Sequence, residues 1–140
     1  MFKHIVVAND GSEGGFKALS LACDLAKHHH SSLHMISVEE LPDFTASIGE
    51  IVETKVSENH KFHDVLEKAR KAAKVKGIDN LKAEVVAGHA AAAIVERVRA
   101  MKADLLIIGF TGHSPLYERI IGGTADRLVR LASCPVLVVK

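Results

Sequence analysis

Glycines and one acidic residue follow two of the short apolar segments in the chain, and their types and spacing could do chemistry. One segment ends at Ala8 and continues from Asn9 to Ser12, whereas another ends at Gly109 and is followed by Gly112 and by residues 122–124, Gly-Gly-Thr. Glycine lets a backbone approach an anion closely, and the N–H groups at a helix start carry partial positive charge. These glycines therefore suit either a phosphate cradle or merely the tight turns of the chain.

Two polar side chains near these turns add to the candidate binding set. Asp10 stands at the end of the first segment, as an acceptor for hydrogen bonds from ribose hydroxyls. His113 lies inside the glycine segment, where it either contacts a phosphate or is a solvated loop residue. Hydrolysis also needs a positioned water, a base and charge stabilisation, and no convincing set is found. The sequence predicts no catalytic residue and favours binding, with slow Mg²⁺-dependent ATP hydrolysis or nucleotidyl or phosphoryl transfer as an alternative.

Other ligand classes are disfavoured by motif and composition. The chain has neither GxxxxGK[ST] nor GxGxxG after its first apolar segment, which argues against a P-loop NTPase and a dinucleotide dehydrogenase. A flavin suits the expected fold, but there is no Trp and only one Tyr to sandwich its ring. The run from His28 to His30 points in different directions and favours a helix C-terminus rather than a metal site. Mg²⁺ is expected only through the phosphates of a nucleotide.

Five short apolar segments alternate with four helical patterns, and these elements must position the turns. The apolar segments are Ile5 to Ala8, Leu33 to Val38, Lys82 to Ala87, Asp104 to Gly109 and Pro135 to Val139. The helical patterns start at Ser12, at about Ile48, at Ala90 and at Thr124. This alternation predicts an α/β fold, an open parallel sheet with helices on both faces and with the Lys82 segment at an edge. Ligands of such sheets bind beyond the carboxyl ends of the strands.

Length and charge indicate a single domain without a polyanionic partner. The chain has 140 residues and a formal net charge of +1, so neither nucleic acid nor an anionic membrane is favoured as a partner. Aromatic residues make up only 4%, which argues against a base-stacking platform for nucleic acid. No signal peptide, membrane span or disulfide framework is evident, so a cytoplasmic protein is predicted.

Three segments in register resemble the universal stress protein family. They are the opening from Ile5 to Ser12, the motif Gly109-x2-Gly112-x9-Gly122, and the ending from Cys134 to Val139. The resemblance covers essentially the whole chain, and it implies one nucleotide-binding domain over residues 1–140. It also implies a Rossmann-like sheet of order 3-2-1-4-5, membership of the ATP-binding subgroup, and a homodimer through the strand Val136 to Val139. The expected function is that of a stress-response regulator that binds ATP or AMP.

The resemblance also implies a role for each motif residue. Asp10 holds the ribose, and Ala8 and Val38 flank the adenine, with Asn9 and His113 in the same nucleotide-binding set. The phosphates are lined by Gly109, Gly112, Gly122, Gly123 and Thr124. Family members often carry Ser or Thr directly after the third motif glycine, where this chain has Gly123. The choice between ATP and AMP therefore stays open, as does the alternative of a partner-binding scaffold with a vestigial pocket.

Overall fold

The computed structural model describes residues 1–40, 48–110 and 121–140, and for residues 48–60 only the backbone is described. The strands are β1 (His4–Ala8), β2 (Ser32–Glu40), β3 (Lys82–Gly88), β4 (Leu105–Gly109) and β5 (Val136–Val139). The helices are α1 (Glu13–His29), α2 (Ile48–Val75), α3 (Ala90–Ala100) and α4 (Gly123–Leu131).

The strands form one parallel sheet in the order β3-β2-β1-β4-β5. This confirms the predicted α/β fold, the strand order and the edge position of β3. The chain leaves β1 in one direction toward β2 and β3, and later returns to the other side of β1 with β4 and β5. The order of connection thus reverses between β1 and β4, and a crevice opens beyond their carboxyl ends.

Helices cover both faces of the sheet, which explains why its central strands are continuously apolar. On one face, α1 and α2 pack against Ile5 and Val7, and their apolar residues form one buried cluster. On the other face, α3 and α4 pack against Val6, Ile36 and Leu106 in a second cluster. Successive residues of β1 therefore enter opposite layers, and both layers exclude water.

Glycine ends one helix, and free thiols lie in or beside the core. Gly77 follows α2 with φ +88°, a left-handed conformation that glycine adopts without steric cost, as its position after the helical pattern predicts. Cys23 and Cys134 are free cysteines, and burial raises the pKa of the Cys23 thiol to about 11. None of the helices in the described ranges combines the length and the apolar composition that a membrane span requires.

Candidate functional site

A cavity of about 420 Å³ opens at the carboxyl edge of the sheet, at the crevice between β1 and β4. Its walls come from the ends of β1, β2 and β4, from α2, and from the first turns of α3 and α4. Eight of the residues selected from the sequence line it together: Ala8, Asn9, Asp10, Val38, Gly109, Gly122, Gly123 and Thr124. The other two, Gly112 and His113, lie outside the described residues.

One wall of the cavity is apolar. Ile36 and Val38 project from the same face of β2, and Ile94 faces them from α3. Phe62 of α2 also lines the cavity and is only 5% exposed. An apolar slot beside a few polar groups is the usual composition of a site for a planar ring.

Asn9 holds the β1–α1 turn in place through hydrogen bonds on all sides. Its backbone N–H donates to the Ile36 carbonyl at 3.0 Å, and its carbonyl accepts from the Ser37 hydroxyl at 2.7 Å. Its side-chain Oδ1 accepts from the Gly11 N–H at 2.9 Å, while Nδ2 lies 3.6 Å from the Met35 sulfur. Asn9 is 1% exposed, so its role at the cavity is to fix the position of the turn from within the protein.

Asp10 and Ser12 close the start of α1. The Asp10 Oδ1 atom accepts from the Ser12 N–H at 2.9 Å and from the Ser12 hydroxyl. The same hydroxyl accepts from the Gly15 N–H at 3.1 Å, which is the N-cap interaction predicted for Ser12. The Asp10 carboxylate is therefore oriented by its own turn, through Ser12, and it lines the cavity as an acceptor.

Gly109 is required by packing in addition to lining the cavity. A Cβ atom at this position would lie 2.8 Å from the carbonyl carbon and oxygen of Gly14 in α1. Two backbones thus approach each other more closely than any side chain permits, which is one of the established uses of glycine. The close contact brings the start of α1 against the end of β4.

The start of α4 presents the opposite arrangement. The Gly122 N–H donates to the Phe110 carbonyl at 2.9 Å, so the two ends of the glycine segment are joined. Gly122 is the N-cap of α4 and provides no side-chain hydrogen bond, and a Cβ on Gly123 would meet no atom of the described residues within 4 Å. The N-cap of α3, His89, provides no side-chain cap either, and Ala90 lines the same cavity. Two such helix starts at one cavity favour an anion there.

Three charged side chains line the cavity among the described residues: Asp10, Glu40 and Lys61. Within the same ranges, no group of three or more His, Cys, Asp or Glu residues is placed to hold a metal ion. A divalent cation at this cavity would therefore depend on ligand oxygens and water for most of its coordination, with Asp10 and Glu40 as nearby carboxylates.

An ion-pair cluster lies behind the apolar wall. His34, which precedes Ile36 on the same face of β2, has Nε2 at 3.5 Å from Glu84 Oε1. Arg97 of α3 contacts that oxygen through Nε and Nη2, each at 2.7 Å. Burial, aided by Arg97 and Lys82, lowers the pKa of His34 despite the opposing effect of Glu84. The cluster connects β2, β3 and α3 directly behind the cavity.

Comparison with known proteins decides the family. The model of the Universal stress protein family matches residues 1–140. The chain belongs to the universal stress protein family. Universal stress protein MJ0531 of Methanocaldococcus jannaschii is 32% identical, over 100% of this chain and 83% of that protein. Universal stress protein YxiE of Bacillus subtilis is 30% identical, over 100% of both chains.

Solved universal stress proteins share the fold. UspA from Lactobacillus plantarum has a TM-score of 0.90 at 22% identity, covering 99% of this chain and 97% of that one. A universal stress protein in complex with cAMP has a TM-score of 0.78 at 24% identity, covering 99% and 97%. One from Archaeoglobus fulgidus in complex with dAMP has a TM-score of 0.64 at 17% identity, covering 100% and 98%. At these identities the likeness concerns the fold.

Sequence reasoning missed two groups of residues in the cavity of this universal stress protein. Ile36 and Ile94 follow the periodicity of core residues, and nothing in that periodicity separates a cavity wall from a filled core. Glu40 and Lys61 are charged residues in a strand end and in a long amphipathic helix. Only the position of Glu40 near the carboxyl end of β2 was a usable signal, because that end faces the crevice.

Proposed function

We propose that this universal stress protein binds an adenine nucleotide in the cavity and acts as a stress-response regulator. The observation that carries the proposal is the start of α4, which faces the cavity and, among the described residues, has no side-chain cap and no atom within 4 Å of a Cβ on Gly123. Such a helix start suits a phosphate group. The cAMP and dAMP complexes of related folds support an adenine nucleotide as the ligand class.

In this proposal each wall of the cavity meets one part of the nucleotide. The adenine packs between Ala8 and Val38, where the apolar slot excludes water. The Asp10 carboxylate accepts hydrogen bonds from the ribose hydroxyls. The phosphates lie against the N–H groups of Gly123 and Thr124, because the Gly122 N–H already donates to Phe110. Gly109 lines the phosphate end, and the resemblance adds Gly112 and His113 there.

The number of phosphates depends on the first residues of α4. Gly123 provides an amide but no hydroxyl, so Thr124 is the nearest side chain that can donate to a further phosphate oxygen. We assign the chain to the ATP-binding subgroup on its glycine motif, with AMP as the alternative ligand. Mg²⁺, when bound, neutralises charge on the phosphates and takes most of its ligands from them and from water.

Identification of the ligand tests this function directly. Protein purified without added nucleotide is denatured, and the released compounds are identified by mass spectrometry. Thermal melts then follow with adenosine, AMP, ADP and ATP, each with and without Mg²⁺, and with GTP as the control for the base. A ligand at a hundred times its Kd adds about 2.7 kcal/mol of stability, which raises the Tm by several degrees. Flat melts and an empty protein would contradict the proposal and favour a partner-binding scaffold.

We also propose that two copies associate through β5. Among the described strands, β5 pairs only with β4, and all of Val136–Val139 is partly exposed. The Leu106 and Phe110 amides donate to the carbonyls of Pro135 and Val139, so the backbone of Val138 faces the open edge. Val138→Pro should give monomers in light scattering after size-exclusion chromatography, whereas Val138→Ala stays dimeric. A wild-type monomer would contradict the dimer.

A further inference from the structure

Helix α2 brings one basic side chain, Lys61, to the cavity. We propose that the Lys61 ammonium group contacts a phosphate of the bound nucleotide and makes affinity depend on the negative charge of the ligand. The inference rests on the proposed function, and it assigns a specificity role to a helix that lies outside the glycine segment and the β1–α1 turn.

The path of α2 places Lys61 on the side of the cavity that the β1–α1 turn forms. Val65 packs against the β1–α1 turn so closely that a Cβ on Gly11 would lie 2.8 Å from its Cγ2. Residues four apart lie on the same face of a helix, so Lys61 stands one turn beyond Val65 on the face that meets this turn. Asp10 belongs to the same turn and lines the same cavity. Lys61 and Asp10 therefore line the same side of the cavity, and on the proposed function this is the side that holds the ribose.

The Lys61 ammonium group has no carboxylate partner within the ranges that the structure describes. Its Nζ atom instead lies over the ring of Phe62, 5.3 Å from the ring centroid. Phe62 is buried in the cavity wall, and a cation–π contact of a solvent-exposed ammonium group is weak. A phosphate forms a far stronger, charge-assisted contact with an ammonium group.

The other charges that line the cavity explain why a phosphate would need Lys61. Asp10 and Glu40 are the carboxylates of the described lining, and both oppose the approach of a phosphate. The helix starts of α3 and α4 supply only partial charges. Lys61 is the one full positive charge of the lining that the described ranges provide, so it offsets part of this repulsion. Its effect should grow from adenosine to AMP and ATP.

The test compares Lys61→Gln with Lys68→Gln by isothermal titration with adenosine, AMP and ATP. Lys68 is a matched control, because it lies on the same helix and places its Nζ 4.5 Å from the ring centroid of Phe16, but it does not line the cavity. Lys61→Gln should weaken ATP binding about ten-fold and leave adenosine binding unchanged. Lys68→Gln should change neither, and Lys61→Arg should keep most of the preference for ATP over adenosine. The effect of Lys61→Gln should shrink in high salt.

The outcomes separate this inference from the proposed function. If wild-type protein binds nucleotides and Lys61→Gln keeps the same ratio of ATP to adenosine affinity, the inference is wrong while the function stands. That result is expected if Glu40 neutralises Lys61 in solution. An equal loss for adenosine and ATP would also overturn it, because Lys61 would then support the cavity rather than meet a phosphate. If wild-type protein binds none of the three ligands, the proposed function fails first.

Discussion

The starts of α1 and α4 look alike in the sequence and differ in the structure. Both follow a glycine-containing stretch of sequence after a central strand, and both border the cavity. At α1 the hydroxyl of Ser12 accepts a hydrogen bond from the Gly15 N–H, and the Asn9 side chain fills the space beside Gly15. At α4 no side chain of the described residues caps the helix, and none of their atoms lies within 4 Å of a Cβ on Gly123. Of these two helix starts, α1 therefore already uses one of its amides, whereas the start of α4 is the better placed to bind an anion.

The comparison shows that the glycines near one cavity are there for different physical reasons. A Cβ on Gly15 would lie 2.3 Å from Asn9 Oδ1, and one on Gly109 would lie 2.8 Å from the backbone of Gly14. These two glycines permit the β1–α1 turn and β4 to pack together. Gly123 meets no such constraint from the described residues, so its lack of a side chain leaves room for whatever enters the cavity.

The largest expected effect comes from adding one methyl group at each kind of glycine. Gly109→Ala should lower the free energy of unfolding by about 1–3 kcal/mol, because two backbones must separate to admit the Cβ. Gly123→Ala should leave it unchanged or raise it slightly, because the Cβ meets no atom of the described residues within 4 Å and alanine favours a helix. Urea unfolding followed by circular dichroism measures both. Equal losses in the two variants would remove the distinction between packing glycines and open glycines.

Most of the fold could be predicted from the sequence, because apolar runs and helical periodicity each depend on local residues. The continuous runs in β1 and β4 indicated burial on both faces, and the alternating Lys82 segment indicated an edge. The strand order came from the family resemblance rather than from periodicity, which carries no information on which strands are neighbours. The helix starts at Ser12 and near Thr124 agree with α1 and α4 within one residue.

The cavity was predictable only in part. The polar turn at Asp10 and the glycine segment pointed to the carboxyl edge, because residue type and strand end coincide there. The contribution of Lys61 was not predictable, since its place depends on how α2 crosses the β1–α1 turn at Gly11. Nor does the sequence show that the Gly122 amide donates to Phe110, a contact that moves the expected phosphate to the next two amides.

A second prediction gives α4 the side-chain cap that α1 already has. Gly122 has N-cap backbone angles of φ −61° and ψ 152°, which Asp and Ser readily adopt. Gly122→Asp should weaken ATP and AMP binding at least about ten-fold, because its carboxylate takes the amides and repels phosphate. Gly122→Ser, an uncharged cap, should weaken it less, and neither variant should lower the Tm. Unchanged affinity in folded Gly122→Asp would show that the phosphate lies elsewhere.

The smallest expected effect is on the pH dependence of the unfolding free energy, which should differ between the two sides of the cavity. The α1 start depends on hydrogen bonds of Asn9 and Ser12, whereas the α3 side depends on His34, whose pKa in the folded protein lies below 6.5. His34 therefore binds a proton more readily in the unfolded chain than in the folded protein. The stability that neutral His34 contributes is present above about pH 6.5 and is lost as the pH falls through the folded pKa. Unfolding free energies at several values between pH 5 and 8 should fall less steeply toward acid in His34→Gln than in wild type. His63→Gln, at an exposed residue, serves as the control. If the unfolding free energy of His34→Gln falls toward acid pH as steeply as that of wild type, the acid sensitivity arises outside the α3 side.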